Sequence, residues 1–250
     1  MTTRIAVFVT PHGFGHAARS CAVINALNDR CSSLRTTVFS TVPRWFFAES
    51  LTAGFDYHHC ANDVGLVQDS PLVENLVATD EALDRAPWLD REALDEMSFR
   101  LEKLGCDLVI ADISPFGLRV ARRAGLPSIL IENFTWDWIY DHLESPVDLR
   151  RHGLEIAADY ASPALHIQAL PACRRVATAV AVDPVARAPR RERAEVRRRL
   201  GIGEDAPLVL ASMGGLGWDY GSLDRLRRES APWIVVPGGA EKVQRRGRLV

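Results

Sequence analysis

The sequence has little of what marks exported, membrane-spanning or metal-binding proteins. Its five cysteines are an odd number without a CxxC spacing, so they predict reduced thiols rather than a disulfide framework. The first apolar run, Ile5–Val9, ends at Thr10 and Pro11 and is too short for a signal-peptide core or a membrane span. These absences predict a cytoplasmic protein with no transmembrane segment.

An excess of charge of one sign is also missing. The 250 residues include 30 basic and 32 acidic side chains, which give a net charge of −2. Residues 1–110 hold nine basic and 15 acidic side chains, and residues 111–250 hold 21 and 17. Neither half has the basic surface expected of a nucleic-acid-binding protein. A composition of 47% apolar and 25% charged residues instead predicts one large or two modest folded domains.

Apolar runs alternate with amphipathic stretches through the first 170 residues. The runs predict buried strands at Ile5–Val9, Thr36–Ser40, Phe55–His58, Asp107–Ala111, Ser128–Ile131 and Leu165–Ala169. The amphipathic stretches predict helices at Ala17–Asn28, Trp45–Leu51, Glu74–Lys103 with an interruption near Pro87, Pro115–Arg123, Trp136–Leu143 and Leu149–Tyr160. This order is typical of an α/β protein with a doubly wound parallel sheet, so residues 1–170 are predicted to form a Rossmann-like domain.

A second unit is expected to begin after residue 190. Residues 171–190 contain three prolines and little periodicity, and we interpret them as an interdomain linker. Within 191–250, helices are predicted at Arg191–Leu200 and Ser222–Glu229 and strands at Leu208–Ser212 and Trp233–Val236. Because an α/β domain usually needs about 100 residues or more, we expect this second Rossmann-like domain to be incomplete and the sequence to be a fragment.

A glycine-rich loop follows the first predicted strand. Gly13 and Gly15 lie in GFGHAA (13–18), a match to GxGxxA, in which glycines let the backbone approach a phosphate at a helix N-terminus. Dinucleotide sites add an acidic residue at the end of the second strand, but Ser40 and Thr41 stand there. NAD is therefore disfavoured, whereas Ser40, Thr41 and Arg44 leave an NADP-dependent oxidoreductase open as an alternative.

His16 and Asp112 form the candidate catalytic pair. His16 lies in the first turn of the helix after the glycine loop, where a neutral imidazole is well placed to act as a general base. Asp112 follows another predicted strand, and the ends of parallel strands meet at one edge, so we predict contact within about 3.2 Å or through one water. A purely structural interpretation also fits, in which each residue caps a helix, Asp112 the one that starts at Pro115.

Two further clusters are weighed against simpler explanations. His58, His59 and Cys60 lie near Asp63 but lack the paired spacing of metal ligands, so no protein-bound metal is predicted.

Aromatic residues follow the strand Ser128–Ile131 and lie in a helical pattern. Trp136 and Tyr140 are predicted to be core, and Trp138 is the better candidate to face a sugar or lipid acceptor.

Six blocks in chain order resemble the glycosyltransferase-like N-terminal region of plant L-arabinokinases and their free-standing bacterial relatives. They are HGFGHAAR (12–19), DVGLVQDS (63–70), DLVIADISP (107–115), NFTWDWIY (133–140), IAADY (156–160) and EVRRRLGI (195–202). The resemblance implies a GT-B-like architecture, in which two Rossmann-like domains bind the acceptor and the nucleotide-sugar donor. It weakens the NADP alternative, since glycine loops in that fold bind sugar phosphates.

The same resemblance implies roles for individual residues. By similarity to GT-B enzymes that glycosylate small molecules, His16 is the base toward an acceptor hydroxyl and Asp112 is its partner. A second glycine loop, at Gly214, Gly215 and Gly217, is similar to the one that faces the donor diphosphate. The pattern departs at the end of the chain, because the acidic residue that holds the donor ribose in such enzymes has no counterpart before Val250. Substrate contacts are further predicted at Arg19, Gln68, Asp69, Asn133 and Trp138.

The function expected from these patterns is metal-independent transfer of a sugar from a nucleotide diphosphate donor, UDP-linked, to an acceptor hydroxyl. The acceptor class stays open between a small molecule, a lipid and a sugar, and no permanently bound cofactor is expected. The alternative from a different class is a noncatalytic module that binds a sugar nucleotide or a sugar phosphate. The fusion of such a region to a sugar kinase in the plant relatives suggests this alternative.

Overall fold

The computed structural model describes residues 2–212, 232–237 and 244–250. Its strands are β1 (Thr3–Val9), β2 (Leu34–Ser40), β3 (Phe55–His59), β4 (Gln68–Ser70), β5 (Val73–Glu74), β6 (Leu108–Asp112), β7 (Ser128–Glu132), β8 (Leu165–Ala169), β9 (Val180–Val182), β10 (Leu208–Leu210) and β11 (Trp233–Val235). Its helices are α1 (Phe14–Arg30), α2 (Arg44–Ser50), α3 (Leu76–Leu83), α4 (Arg91–Leu104), α5 (Pro115–Arg123), α6 (Trp136–His142), α7 (Arg150–Tyr160) and α8 (Arg193–Leu200), and a 3₁₀ turn spans Pro87–Leu89.

The chain divides into two compact units, Met1–Val67 with Asn75–Arg187, and Gln68–Glu74 with Ala188–Val250. The first unit contains a seven-stranded parallel sheet in the order β3-β2-β1-β6-β7-β8-β9. The chain builds outward in one direction from β1 to β3 and then in the other from β6. The point of reversal lies between β1 and β6, where Val9 is opposite Asp112. Ligands of doubly wound sheets bind outside the carboxyl ends of the strands at such a point.

Both faces of this sheet are covered, which is why its strands appear in the sequence as continuous apolar runs. On one face Ala6 and Phe8 of β1 pack in a cluster with residues of α4, α5 and α7. On the other face Ile5, Val7 and Val9 pack in a cluster with residues of α1 and α2. Strands and helices of the predicted α/β type are therefore confirmed, and the core holds the carboxyl edge of the sheet in place.

Helix ends follow the local signals in the sequence. The carboxylate of Asp90 accepts hydrogen bonds from the backbone N–H groups of Glu92 and Ala93 at the start of α4. The same helix ends at Gly105, whose φ of 64° is left-handed and suits glycine. The predicted interruption near Pro87 is present as the 3₁₀ turn, so the long helical pattern from Glu74 is in fact α3 and α4.

The stretch 171–190 differs from its interpretation as a linker. It contains β9, which pairs in parallel with β8 and places Val180 opposite Ile167, and the first unit runs on to Arg187. Periodicity did not reveal β9 because it is only three residues long. It is also an edge strand with Val180 half-exposed, so no continuous buried run marks it.

The second unit is described only in part. Gln68–Glu74 forms the antiparallel pair β4 and β5, in a segment predicted as a polar loop through Asp69. Farther along the chain, β10 pairs in parallel with β11, and Leu208 lies opposite Trp233. The predicted helix Ser222–Glu229 lies outside the described residues. Among the helices that are described, none combines the length and apolarity needed to cross a bilayer.

Candidate functional site

The loop after β1 places the start of α1 at the carboxyl edge of the sheet. Gly13 precedes α1 with φ 76° and ψ 163°, a conformation that strongly favours glycine, and its N–H donates to the carbonyl of Pro11 at 2.7 Å. Gly15 lies in the first turn, and within the described residues a Cβ there would meet no atom inside 4 Å. Packing in this part of the chain therefore does not require glycine at residue 15.

His16 and Asp112 are in direct contact. His16 Nδ1 lies 2.9 Å from Asp112 Oδ1, which is the contact predicted from the two strand ends. Asp112 ends β6 and its side chain is 1% exposed. It does not cap α5, because Ser114 Oγ accepts the hydrogen bond from Gly117 N at 3.0 Å. His16 does not cap α1 either, since Gly13 is the N-cap residue of that helix and no side chain makes a cap hydrogen bond there.

Arg19 holds Asp112 from the same helix face as His16. Its Nε lies 2.8 Å from Asp112 Oδ2 and its Nη2 lies 2.6 Å from Oδ1. Its Nη1 donates to Asn133 Oδ1 at 2.7 Å, and Ser20 Oγ donates to Asp112 Oδ2 at 3.1 Å. Arg19 and Asn133 are predicted as substrate contacts, but here Arg19 is engaged with Asp112 and also donates to Asn133. The spacing of three residues between His16 and Arg19 was the one sequence signal for this arrangement.

The protonation of the pair follows from these contacts. Burial raises the pKa of Asp112, but the charge and hydrogen bonds of Arg19 outweigh burial and hold that pKa below its ordinary value. The carboxylate is thus ionised at neutral pH and accepts a hydrogen bond from His16 Nδ1–H. In the tautomer that this hydrogen bond selects, Nε2 is the nitrogen that carries the lone pair when the ring is neutral. Arg19 Nη2, 3.2 Å from Nδ1, is in contact there rather than hydrogen-bonded, because both nitrogens are donors.

The backbone next to Asp112 is strained. Ile113 has φ 60°, which is rare for a β-branched residue and costs on the order of 1–3 kcal/mol. Its carbonyl accepts a hydrogen bond from the buried Tyr160 hydroxyl at 2.8 Å. Tyr160 therefore helps to hold the turn that follows Asp112. A strained residue beside a buried carboxylate is typical of a functional site, and no sequence pattern indicated it.

A second polar group, centred on Asp63, fastens the loop after β1 to α6. Its carboxylate accepts hydrogen bonds from the Thr10 hydroxyl, from Trp136 Nε1 at 2.7 Å and from Val64 N at 2.8 Å. Burial raises the pKa of Asp63 above its ordinary value, in spite of these hydrogen bonds. In the sequence, Asp63 stands near His58, His59 and Cys60, and that pattern gives no sign of these contacts. Its observed contacts make it an anchor of the loop that carries His12 and Gly13.

The aromatic residues after β7 divide as predicted. Trp136 and Tyr140 are buried, and the Tyr140 hydroxyl donates to the carbonyl of Gly65 at 2.9 Å. Trp138 is only half-buried, stacks on His142 with 4.3 Å between ring centroids and lines a cavity beside α6. Phe134 packs edge-on against His16, with 5.7 Å between centroids.

The remaining predicted residues lie elsewhere. Gln68 and Asp69 belong to β4 in the second unit. Gly214, Gly215 and Gly217 lie outside the described residues. Near the end of β3, His58 stacks on the ring of Phe39. In the ranges that the structure describes, no group of three or more histidine, cysteine or acidic side chains is arranged to hold a metal ion.

Comparison with known sequences gives one partial match. No family model matches the chain. L-arabinokinase of Arabidopsis thaliana is 29% identical to this chain over an alignment 250 residues long, and the alignment covers 95% of this chain. The match covers 23% of the plant protein, so the chain spans about a quarter of the length of this relative.

Comparison with solved structures identifies the fold. The crystal structure of the glycotransferase of kitacinnamycin matches with a TM-score of 0.61 at 12% identity, over 100% of this chain and 70% of that one. UGT2 of Phytolacca americana, complexed with UDP-2fluoro-glucose and pterostilbene, matches with a TM-score of 0.58 at 14% identity, over 100% and 71%. SsfS6, a glycosyltransferase of Streptomyces sp. SF2575, matches with a TM-score of 0.57 at 16% identity, over 98% and 72%. The chain therefore has the fold of GT-B glycosyltransferases and resembles a part of L-arabinokinase.

Proposed function

We propose that the chain takes part in glycosyl transfer, with His16 as the general base toward an acceptor hydroxyl. The donor is a nucleotide diphosphate-sugar, UDP-linked, and no metal ion is needed. The observation that carries the proposal is the 2.9 Å contact between His16 Nδ1 and Asp112 Oδ1. This contact leaves Nε2 with the lone pair, and among the described residues Nε2 has no hydrogen-bond partner.

The proposed reaction has one proton transfer and one displacement. His16 Nε2 takes the proton of the acceptor hydroxyl while that oxygen forms a bond to the anomeric carbon of the donor. The bond from the anomeric carbon to the diphosphate breaks, and the diphosphate leaves with the electron pair. The N-terminus of α1, reached past Gly13 and Gly15, supplies backbone N–H groups and a positive dipole for negative charge. A second such loop is proposed at Gly214, Gly215 and Gly217, in a donor-binding region within residues 188–250.

Arg19 limits what Asp112 does in this mechanism. A free carboxylate would stabilise the imidazolium that forms when His16 takes a proton, but the charge of Asp112 is already balanced by Arg19. The main contribution of Asp112 is therefore to fix the tautomer and orientation of the imidazole.

The NADP alternative has less support, because Ser40 is fully buried and its hydroxyl donates to the carbonyl of Val9 at 2.8 Å.

The same balance of charge favours a second candidate function, a noncatalytic module that binds a sugar nucleotide. In such a module the Arg19–Asp112 pair is a structural support, and His16 Nε2 accepts a hydrogen bond from the ligand without proton transfer. The partial match to L-arabinokinase is compatible with this function, since a binding region within a longer protein needs no chemistry of its own.

The experiment that separates the two candidates measures binding and release on the same protein. Binding of UDP-glucose and other UDP-sugars is followed by titration calorimetry, and release of UDP is followed with a panel of sugar and phenolic acceptors. For an enzyme, His16→Ala should lower UDP release by about 10²-fold or more and leave donor binding nearly unchanged. His59→Ala, which removes an exposed histidine of β3, is the matched control and should retain activity.

Each outcome decides between the proposals. Donor binding without UDP release from any acceptor supports the noncatalytic module and contradicts the glycosyltransferase. UDP release that is unaffected by His16→Ala contradicts the assignment of the base. Failure of the wild-type chain to bind any sugar nucleotide contradicts both candidates.

A further inference from the structure

A cavity next to α6 is not used by the proposed chemistry. It lies between α6, the first turns of α7 and the segment after β8, and it has a volume of about 140 Å³. Trp138 and His142 line it from α6, Gly153 from α7 and Arg174 from the segment after β8. All these residues belong to the first unit, and neither His16 nor Asp112 lines the cavity.

The charges around the cavity are balanced. Asp137 Oδ2 lies 3.3 Å from Arg174 Nη2, and Asp141 Oδ1 lies 2.9 Å from Arg150 Nε. Two carboxylates and two guanidinium groups therefore face the cavity with no net charge. The carboxylates would repel a diphosphate and the guanidinium groups would repel an amine, so neither kind of ligand is favoured. A neutral ligand with several hydroxyl groups can donate to the carboxylates and accept from the guanidinium groups at once.

Asp137 has hydrogen-bonding capacity that the chain does not use. Its side chain is 13% exposed, and Oδ1, which is itself buried, has no hydrogen-bond partner among the described residues. Within the described residues its one ion pair is the long contact with Arg174, whose side chain is half-exposed. A carboxylate can accept about four hydrogen bonds, and rotation about χ2 exchanges its two oxygens. A hydroxyl donor from a ligand would satisfy this group, which is costly to leave unpaired.

The apolar walls and the volume restrict the ligand further. Trp138 lines the cavity with one face of its indole stacked on His142, and Leu154 of α7, which is 69% exposed, lines it as well. Sites for drug-sized molecules have volumes of about 300–1,000 Å³, so 140 Å³ suits one small ring rather than a fused aromatic molecule. The C–H groups of a sugar ring can pack on the indole while its hydroxyls reach Asp137 and Arg174.

We propose that this cavity binds a neutral monosaccharide unit through Asp137, Arg174 and Trp138. Binding of a monosaccharide in this cavity does not depend on the proposed function. The inference rests on the proposed function only if the bound sugar is the acceptor. In that case the acceptor class is a carbohydrate rather than a lipid or a flat phenolic compound.

The test measures sugar binding directly. Saturation-transfer NMR with free pentoses and hexoses on the intact chain should give signals with a dissociation constant on the order of 1 mM, as expected for a ligand with few atoms. Asp137→Ala and Trp138→Ala should each weaken binding by about 10-fold. Asp56→Asn and Phe99→Ala, which change an exposed carboxylate and an exposed aromatic ring elsewhere, are the matched controls. Circular dichroism establishes whether each variant is folded. If Asp137→Ala is not folded, Asp137→Asn replaces it, because asparagine keeps the shape of the side chain.

The outcomes separate this inference from the proposed function. His16→Ala should lower transfer by about 10²-fold or more and leave monosaccharide binding unchanged, because His16 does not line the cavity. Monosaccharide binding in a chain that shows no transfer would support the cavity and contradict the enzyme. Absence of binding by any tested pentose or hexose, or equal binding in Asp137→Asn, Trp138→Ala and the wild type, would overturn the assignment. Stronger binding of sugar phosphates than of free sugars would overturn the argument from charge balance.

Discussion

Arg19 and Asp112 form a bidentate ion pair at the carboxyl edge of the sheet, with Nε 2.8 Å from Oδ2 and Nη2 2.6 Å from Oδ1. The two side chains are 9% and 1% exposed, so neither charge is solvated by water to any extent. His16 Nδ1 shares Oδ1 with this pair. The orientation of the candidate base therefore depends on an arginine that has no direct part in proton transfer.

Removal of Arg19 should destabilise the fold. Arg19→Ala leaves the carboxylate of Asp112 buried without its counter-charge, which costs about 3–5 kcal/mol in comparable pairs. Arg30→Ala, on the same helix, removes an exposed guanidinium that only donates to the carbonyl of Ala26, and it should cost less than about 0.5 kcal/mol. Urea unfolding of both variants measures the difference. Equal losses in the two variants would mean that the buried pair contributes no special stability.

The stability contributed by Asp112 should depend on pH in a defined direction. Burial raises the pKa of Asp112, but Arg19 more than offsets this and lowers it in the folded chain. The stabilisation is thus complete above the unfolded value of about 3.9 and is lost as the pH falls below it. The stability gap between the wild type and Asp112→Asn should be constant between about pH 5 and 7 and shrink below about pH 4.

Urea unfolding at a series of pH values checks this prediction. Asp56→Asn, which removes an exposed carboxylate on β3, serves as the control for the loss of one acidic group. A gap for Asp112→Asn that widens on acidification would show that the pKa of Asp112 is raised rather than lowered.

Gly65 should tolerate no side chain, because His12 occupies the space. A Cβ on Gly65 would lie 1.6 Å from His12 Nε2, and the residue has φ +62°. Gly125 has nearly the same conformation, φ +66°, with nothing within 4 Å. Gly125→Ala should cost about 1 kcal/mol for the left-handed backbone alone, and Gly65→Ala should cost clearly more. The difference between the melting temperatures of the two variants measures the cost of the clash with His12. Equal decreases in melting temperature would show that the loop rearranges at little energetic cost.

Gly15 tests whether the glycine loop serves a ligand. A Cβ there meets nothing within 4 Å of the described chain, and alanine is better than glycine in a helix by up to about 1 kcal/mol. Gly15→Ala should therefore leave the melting temperature unchanged or raise it. If the backbone approaches a phosphate, the same variant should bind UDP more weakly by calorimetry. Gly54→Ala, also without close neighbours, is the control, and unaltered UDP binding in Gly15→Ala would mean that the loop is only a turn.

Much of the fold and one contact of the site were predictable from local patterns. Ile5–Val9 and Asp107–Ala111 are continuous apolar runs because both faces of the sheet are covered, and a parallel sheet brings the ends of such strands to one edge. That rule was sufficient to predict that His16 meets Asp112. Strand β9 was missed because three half-exposed residues leave no such run.

The sequence by itself determined the α/β class, the glycine turn before α1 and the placement of His16 and Asp112 at one edge, because periodicity and backbone freedom are local properties. Only the tertiary structure decided that Arg19 neutralises Asp112, that Asp63 anchors the loop after β1, and that Asp137 and Arg174 meet across a cavity. The residues of these pairs are separated by 37 to 93 positions, and the ionisation of Asp112 and Asp63 depends on burial and on groups from distant segments. No periodic pattern records such contacts, since each is a consequence of packing strands and helices together.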